Sequence, residues 1–113
     1  PLTFDVKLNN SGALPTLVYR SESWTKVCSI IFLDSPVGTG FSYSTTETYE
    51  AGDLKSSKDV YTFIRKWFTD HPEFMSNPLY IGGDSYSGMT VPVIAQEVSN
   101  GIQAGLEPLL NLK

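Results

Sequence analysis

A chain of 113 residues, 41% of them hydrophobic, can bury one modest core and is too short for two ordinary domains. A net charge of −4 without a basic cluster gives no footing for nucleic acid. No apolar run approaches the roughly 20 residues of a membrane-spanning helix. The chain starts at Pro1 with no methionine or leader, which reads as a fragment or a processed product.

Residues 2–6 alternate and read as a short strand. Asn9-Asn10-Ser11-Gly12 reads as a turn, and residues 16–20 as a second strand pairing with the first as a hairpin. Asn9-Asn10-Ser11 also matches the N-glycosylation sequon, which makes Asn9 a glycan candidate on a secretory route. Residues 23–26 read as a turn. The only cysteine, Cys28, permits no internal disulfide; it reads as a buried apolar residue or as half of a bridge to chain outside this segment.

The run Ser29-Ile30-Ile31-Phe32-Leu33-Asp34 is continuously apolar, the pattern of a strand covered on both faces in a parallel sheet. A Gly/Pro loop follows to Tyr43. It fails as a dinucleotide fingerprint, because Tyr43 stands where the third glycine belongs and Pro36 interrupts the turn. Residues 36–43 read equally as a pocket wall and as a purely structural loop. After a polar stretch, residues 53–69 read as a helix whose apolar face is Val60, Phe63, Ile64, Trp67 and Phe68, stopped by His71-Pro72.

The richest stretch is residues 79–88. Leu79-Tyr80-Ile81 reads as a strand parallel to residues 29–34 by right-handed crossover. Gly82-Gly83-Asp84-Ser85-Tyr86-Ser87-Gly88 reads as a sharp turn into a helix over residues 89–98. Strand, Gly-x-Ser turn and helix together make a nucleophile elbow, with Gly83 before the serine and the small Ser87 two residues after it. Ser85 then stands at the tip as nucleophile, and the Tyr86 backbone N–H is a donor of an oxyanion hole. The competing reading is an ordinary turn in which Ser85 or Asp84 caps the helix. Asn100-Gly101 reads as the end of that helix, and residues 106–113 as the start of another strand.

A serine nucleophile of this architecture takes its acid and then its histidine from later in the chain. After Ser85 there is no Asp and no His; the acids are Glu97 and Glu107. His71, the one histidine, precedes the serine at a helix end and reads as a partner of the helix dipole or a solvent-exposed side chain. The segment therefore holds a nucleophile station without its base.

Gly83-Asp84-Ser85-Tyr86-Ser87-Gly88 resembles the nucleophile motif of the serine carboxypeptidases, commonly Gly-Glu-Ser-Tyr-Ala-Gly. The run from Ile31 through Asp34-Ser35-Pro36-Val37-Gly38-Thr39-Gly40-Phe41-Ser42-Tyr43 to Ser44 resembles a second signature of that family. Residues 53–69, Pro72-Glu73-Phe74 and Thr90-Val91-Pro92 are similar as well. The resemblance spans essentially the whole chain. It implies a partial α/β-hydrolase fold in one domain over residues 1–113: a mostly parallel sheet with flanking helices, an N-terminal hairpin, and truncation at both ends.

It also implies Ser85 as nucleophile, the Tyr86 N–H in the oxyanion hole, and Asp84 with Gly83 in substrate binding. In the family the acid before the serine pairs with another acid upstream, the two sharing a proton to hold a substrate carboxylate; that partner would lie before Pro1. No cofactor or metal is expected. The substrate is a peptide or an acyl ester, and the protein is secreted or vacuolar by resemblance. Asp84, Ser87 and Met89 look more like the plant carboxypeptidase-like acyltransferases, which move an acyl group from a glucose ester to an alcohol. A catalytically inactive truncated relative is the third reading.

Overall fold

The structure, a computed structural model, describes residues 2–5, 14–46 and 52–113. The turn at Asn9-Asn10-Ser11-Gly12, the Asn9 sequon, Val6 and part of the polar stretch before residue 53 lie outside them. The chain divides into two compact units, Pro1–Leu33 and Asp34–Lys113.

In the first unit, β1 (Leu2–Asp5) and β2 (Thr16–Tyr19) pair antiparallel, Leu2 opposite Tyr19 and Asp5 opposite Thr16. This is the hairpin pairing expected from the alternation. Trp24–Lys26 forms a single 3-10 turn, and the Lys26 ammonium sits 5.2 Å from the centroid of the Tyr19 ring. Cys28 is exposed rather than buried, its thiol directed at the Trp24 carbonyl at 3.2 Å.

The parallel strand expected over residues 29–34 is not formed. These residues join no ladder among those described, and Phe32 is 82% exposed. An apolar run supplies the side chains of a buried strand, but a strand exists only where a neighbouring edge takes its N–H and C=O groups. The described sheet is thus two-stranded and antiparallel, with no multistranded parallel sheet.

The second unit is built on two helices. α1 (Asp53–Asp70) ends as expected: His71 closes it by donating its N–H to the Trp67 carbonyl, and Pro72 opens a 3-10 turn, Pro72–Phe74. α2 (Ser87–Gln103) is longer at both ends than the apolar pattern predicts. Its start moves forward because the turn after Ser85 is already helical, with Ser87 N–H donating to the Asp84 carbonyl at 3.0 Å and Gly88 N–H to Ser85 at 3.0 Å. Its end moves to Gln103, and two residues later Gly105 adopts φ 67°. There Leu106 N–H reaches back to the Gly101 carbonyl and Gly105 N–H to Ile102, a Schellman closure.

Gly101 is therefore inside α2, not at its end. A Cβ at Gly101 would stand 1.8 Å from the Tyr61 hydroxyl, so the missing side chain is what lets the α1 tyrosine cross α2. Gly101→Ala is expected to destabilise the protein by about 1–3 kcal/mol by overpacking, despite alanine's better helix propensity. Thermal melting checks this, and a neutral or raised melting temperature would show that Tyr61 swings aside freely.

The core lies between the helices and the C-terminal segment: Phe68, Val98 and Leu110 are buried, with Tyr61, Ile64, Trp67, Leu79 and Ile102 packed around them. Val98 and Phe68 bring about 1.5–3 kcal/mol each from burial. On α1, Ser57 and Phe68 are buried and Val60, Tyr61, Phe63, Ile64 and Trp67 half-buried, with Tyr61, Ile64 and Trp67 packed against the core. The tail does meet residue 79 in parallel, through Leu79 N–H to the Asn111 carbonyl at 2.8 Å and Lys113 N–H to the Leu79 carbonyl at 3.1 Å, but as an isolated bridge.

Candidate active site

Two Gly-rich segments of the second unit carry the residues singled out above. Residues 34–42 fold on the Asp34 side chain. Its carboxylate accepts the Phe41 N–H at 2.9 Å, its carbonyl accepts the Ser42 hydroxyl at 2.6 Å, and Gly38 N–H closes the loop on the Ser42 carbonyl at 2.9 Å. Gly40 sits at φ 51°, and a Cβ there would lie 2.0 Å from an Asp34 carboxylate oxygen. Only glycine meets both conditions. The loop is thus a self-supporting structure that leaves Phe41 96% exposed at its tip.

The second segment is the turn at Ser85. Ser85 has φ 55°, the one positive φ at a non-glycine residue among those described. The left-handed region costs an L-residue with a Cβ about 1 kcal/mol or more, so its occupation by serine rather than glycine is a strain held by the surroundings. The chain bends so sharply that a Cβ on Gly83 would lie 2.3 Å from the Ser87 Cβ and 3.2 Å from a Val91 methyl. A Cβ on Gly88 would meet nothing within 4 Å. The small residue the bend demands after the serine is therefore Ser87, and the glycine one place later is not needed for space.

Neither Asp84 nor Ser85 caps α2: Tyr86 is its first flanking residue, and no side chain bonds the free N–H groups. Ser85 and Asp84 are exposed, and among the described residues their side chains have no hydrogen-bond partner. Among the described residues the Tyr86 N–H, too, is given to no protein acceptor. A hydroxyl, an adjacent unused N–H and a helix N-terminus thus meet at one exposed point, the elements that stabilise a developing negative charge. The Tyr86 hydroxyl donates to the Asp53 carboxylate at 2.8 Å, tying this turn to the first residue of α1. That bond, with the charge of the Asp53 carboxylate, holds the phenol above its ordinary pKa.

Two groups that could serve as a base, His71 and Glu107, are occupied elsewhere. His71 lies against Trp67 at a ring separation of 4.6 Å, with Nδ1 3.6 Å from a Glu73 carboxylate oxygen. Glu107 accepts the Leu109 N–H at 3.1 Å through its carboxylate, and its carbonyl takes a bond from Arg65. Sequence reasoning missed Asp53 and Asp34; Asp34 carried a signal in the two glycines that follow it, while Asp53 read only as a helix-starting acid.

The sequence pattern of the family described as serine carboxypeptidase matches residues 4–113. The chain belongs to the serine carboxypeptidase family. Among curated relatives, serine carboxypeptidase-like 16 of Arabidopsis thaliana is 58% identical over 89% of this chain and 23% of its own length. Serine carboxypeptidase-like 15 of the same plant is 51% identical over 100% of this chain and 26% of its own. The chain thus spans about a quarter of the relatives it matches. Family membership implies the α/β-hydrolase class, of which the two helices, the Ser85 turn and the isolated parallel bridge are the portion seen here.

Proposed function

We propose that Ser85 is the nucleophile of an acyl-transfer enzyme that releases C-terminal residues from peptides. The observation that carries this reading is the serine at φ 55° beside an unused Tyr86 N–H. The Ser85 Oγ attacks the scissile carbonyl carbon while its proton passes to a histidine base supplied by chain beyond this segment. The carbonyl oxygen becomes an oxyanion, which the Tyr86 N–H stabilises. Collapse expels the leaving amine, which takes up the proton, and leaves an acyl-enzyme that water resolves. Asp84 and Gly83 face the substrate, Asp84 contributing to carboxylate recognition with a second acid from outside this segment.

A second reading has a specific footing. Asp84, Ser87 and Met89 resemble the acyltransferase branch, in which an alcohol rather than water takes the acyl group from a glucose ester. Both reactions share the acyl-enzyme and part only at the acceptor. Secretion or vacuolar delivery belongs to the same proposal and would make Asn9 a glycan site.

Two measurements test this. The full-length protein is offered a blocked dipeptide and, separately, a glucose ester with an alcohol; free C-terminal residue supports the first reading and a new ester the second. The 113-residue chain alone, which has no His or Asp after Ser85, is expected not to label with a fluorophosphonate probe. Stoichiometric labelling of Ser85 in that chain would overturn the requirement for an outside base.

A further inference from the structure

We propose that Asp53 is a positioning residue for the Ser85 site, acting through the hydroxyl of Tyr86, an inference that rests on the acyl-transfer reading above. The bond between them spans 33 positions of sequence and joins the turn to the N-terminus of α1. Among the described residues it is the one side-chain hydrogen bond that reaches the 82–88 turn from another element.

The need for such a tie follows from the local backbone. Gly82 and Gly83 lead into the turn, and glycines restrict the chain least. A Cβ on Gly82 would meet nothing within 4 Å, so no packing braces the chain at that residue, and only Gly83, close against Ser87 and Val91, is held on that side. The donor N–H belongs to the peptide plane between the strained Ser85 and Tyr86. On the helical side the plane is held by the bonds from Ser87, Gly88 and Met89 back to Asp84, Ser85 and Tyr86. The Tyr86 side chain is 66% exposed, so burial does not select its rotamer either. The Asp53 carboxylate does, by fixing the far end of the ring.

A ring released from Asp53 is free to turn over the adjacent Ser85, and the Ser85–Tyr86 plane is then held only on its carbonyl side, by the Gly88 N–H. A donor that must sit within hydrogen-bond distance of a transient oxyanion loses effect when its orientation spreads. The consequence is a slower acylation step with substrate affinity little changed. Asparagine at position 53 retains an oxygen that accepts the phenol proton, so it keeps the tie without the charge.

The test uses the full-length protein with Asp53→Ala, Asp53→Asn, Tyr86→Phe and the Asp53→Ala/Tyr86→Phe double variant. Tyr86→Phe leaves α1 untouched, so a folding defect at the start of α1 does not spoil the comparison. The readouts are the rate of Ser85 phosphonylation by a fluorophosphonate, kcat and KM on a blocked amino-acid ester, and the melting temperature. Asp53→Ala and Tyr86→Phe are each expected to slow phosphonylation and kcat about three- to tenfold, with KM nearly constant. The double variant is expected to be no slower than either single one, and Asp53→Asn to stay within about twofold of the parent. Full phosphonylation rates in both single variants, with or without a lowered melting temperature, overturn the positioning role, as do effects that multiply in the double variant. Ser85→Ala separates the two levels: labelling retained there overturns the nucleophile reading itself, whereas labelling lost there with both tie variants at full rate overturns only the tie.

Discussion

Ser85→Ala in the full-length protein is expected to lower kcat by roughly 10⁵- to 10⁶-fold, the loss that follows removal of a serine nucleophile whose partners act as a unit. Ser85→Gly should be as inactive, yet the two variants should differ in stability. Alanine keeps a Cβ at φ 55°, whereas glycine adopts that φ without penalty. Glycine in place of Ser85 is therefore expected to raise the stability of the folded protein by about 1 kcal/mol relative to alanine, less the entropy glycine adds to the unfolded chain. A higher melting temperature for Ser85→Gly than for Ser85→Ala, with turnover lost in both, is the signature of a strained functional residue. Unchanged turnover in Ser85→Ala would remove the nucleophile assignment. Equal melting temperatures for the two variants would remove the strain argument and leave the chemistry standing.

The second large effect lies two residues earlier. Gly83→Ala forces a Cβ to within 2.3 Å of the Ser87 Cβ, a distance no real pair of carbons holds without covalent linkage, and close to Val91 as well. The turn must open, which reorients the Ser85 hydroxyl relative to the Tyr86 N–H and shifts the start of α2. The expected outcome is about 1–3 kcal/mol of lost stability and a fall in kcat of about 10²-fold. Gly88→Ala is the control, because a Cβ there meets nothing within 4 Å and the residue is already helical. It should be neutral or stabilise by up to about 1 kcal/mol. Melting curves and ester turnover of the two variants measured together decide the matter. If they behave alike, the turn owes Gly83 to something other than its closeness to Ser87.

Much of this site could be read without coordinates, because the constraint at an elbow is local. The residue before the bend and the residue after it must be small for steric reasons that act over five positions, so Gly83, Ser85 and Ser87 announce one another. The helix over Asp53–Asp70 was equally open to reading, since its apolar spacing lies within it and the Pro72 stop just beyond its end. The end of α2 shows the limit. Gly101 and Gly105 each satisfy the general expectation for a helix-ending glycine. Gly105 carries the left-handed φ, and Gly101 makes room for Tyr61, which lies 40 positions away in the sequence and against α2 in space. The signal that could have separated them is the apolar Leu106 just after Gly105, the usual companion of a Schellman closure.

The run at residues 29–34 shows the same limit from the other side. Its side chains report a strand covered on both faces, but hydrophobicity records what a segment is able to bury and says nothing of which edge it meets.

The amino-acid sequence by itself determined the family, the bend at Ser85 and the two helices, all of which rest on patterns contained within short stretches of chain. Only the tertiary structure decided that Tyr61 crosses at Gly101 and that Asp53 holds the Tyr86 hydroxyl. These contacts bring together groups whose pairing depends on how helices and loops pack, and no local preference of either partner encodes the other.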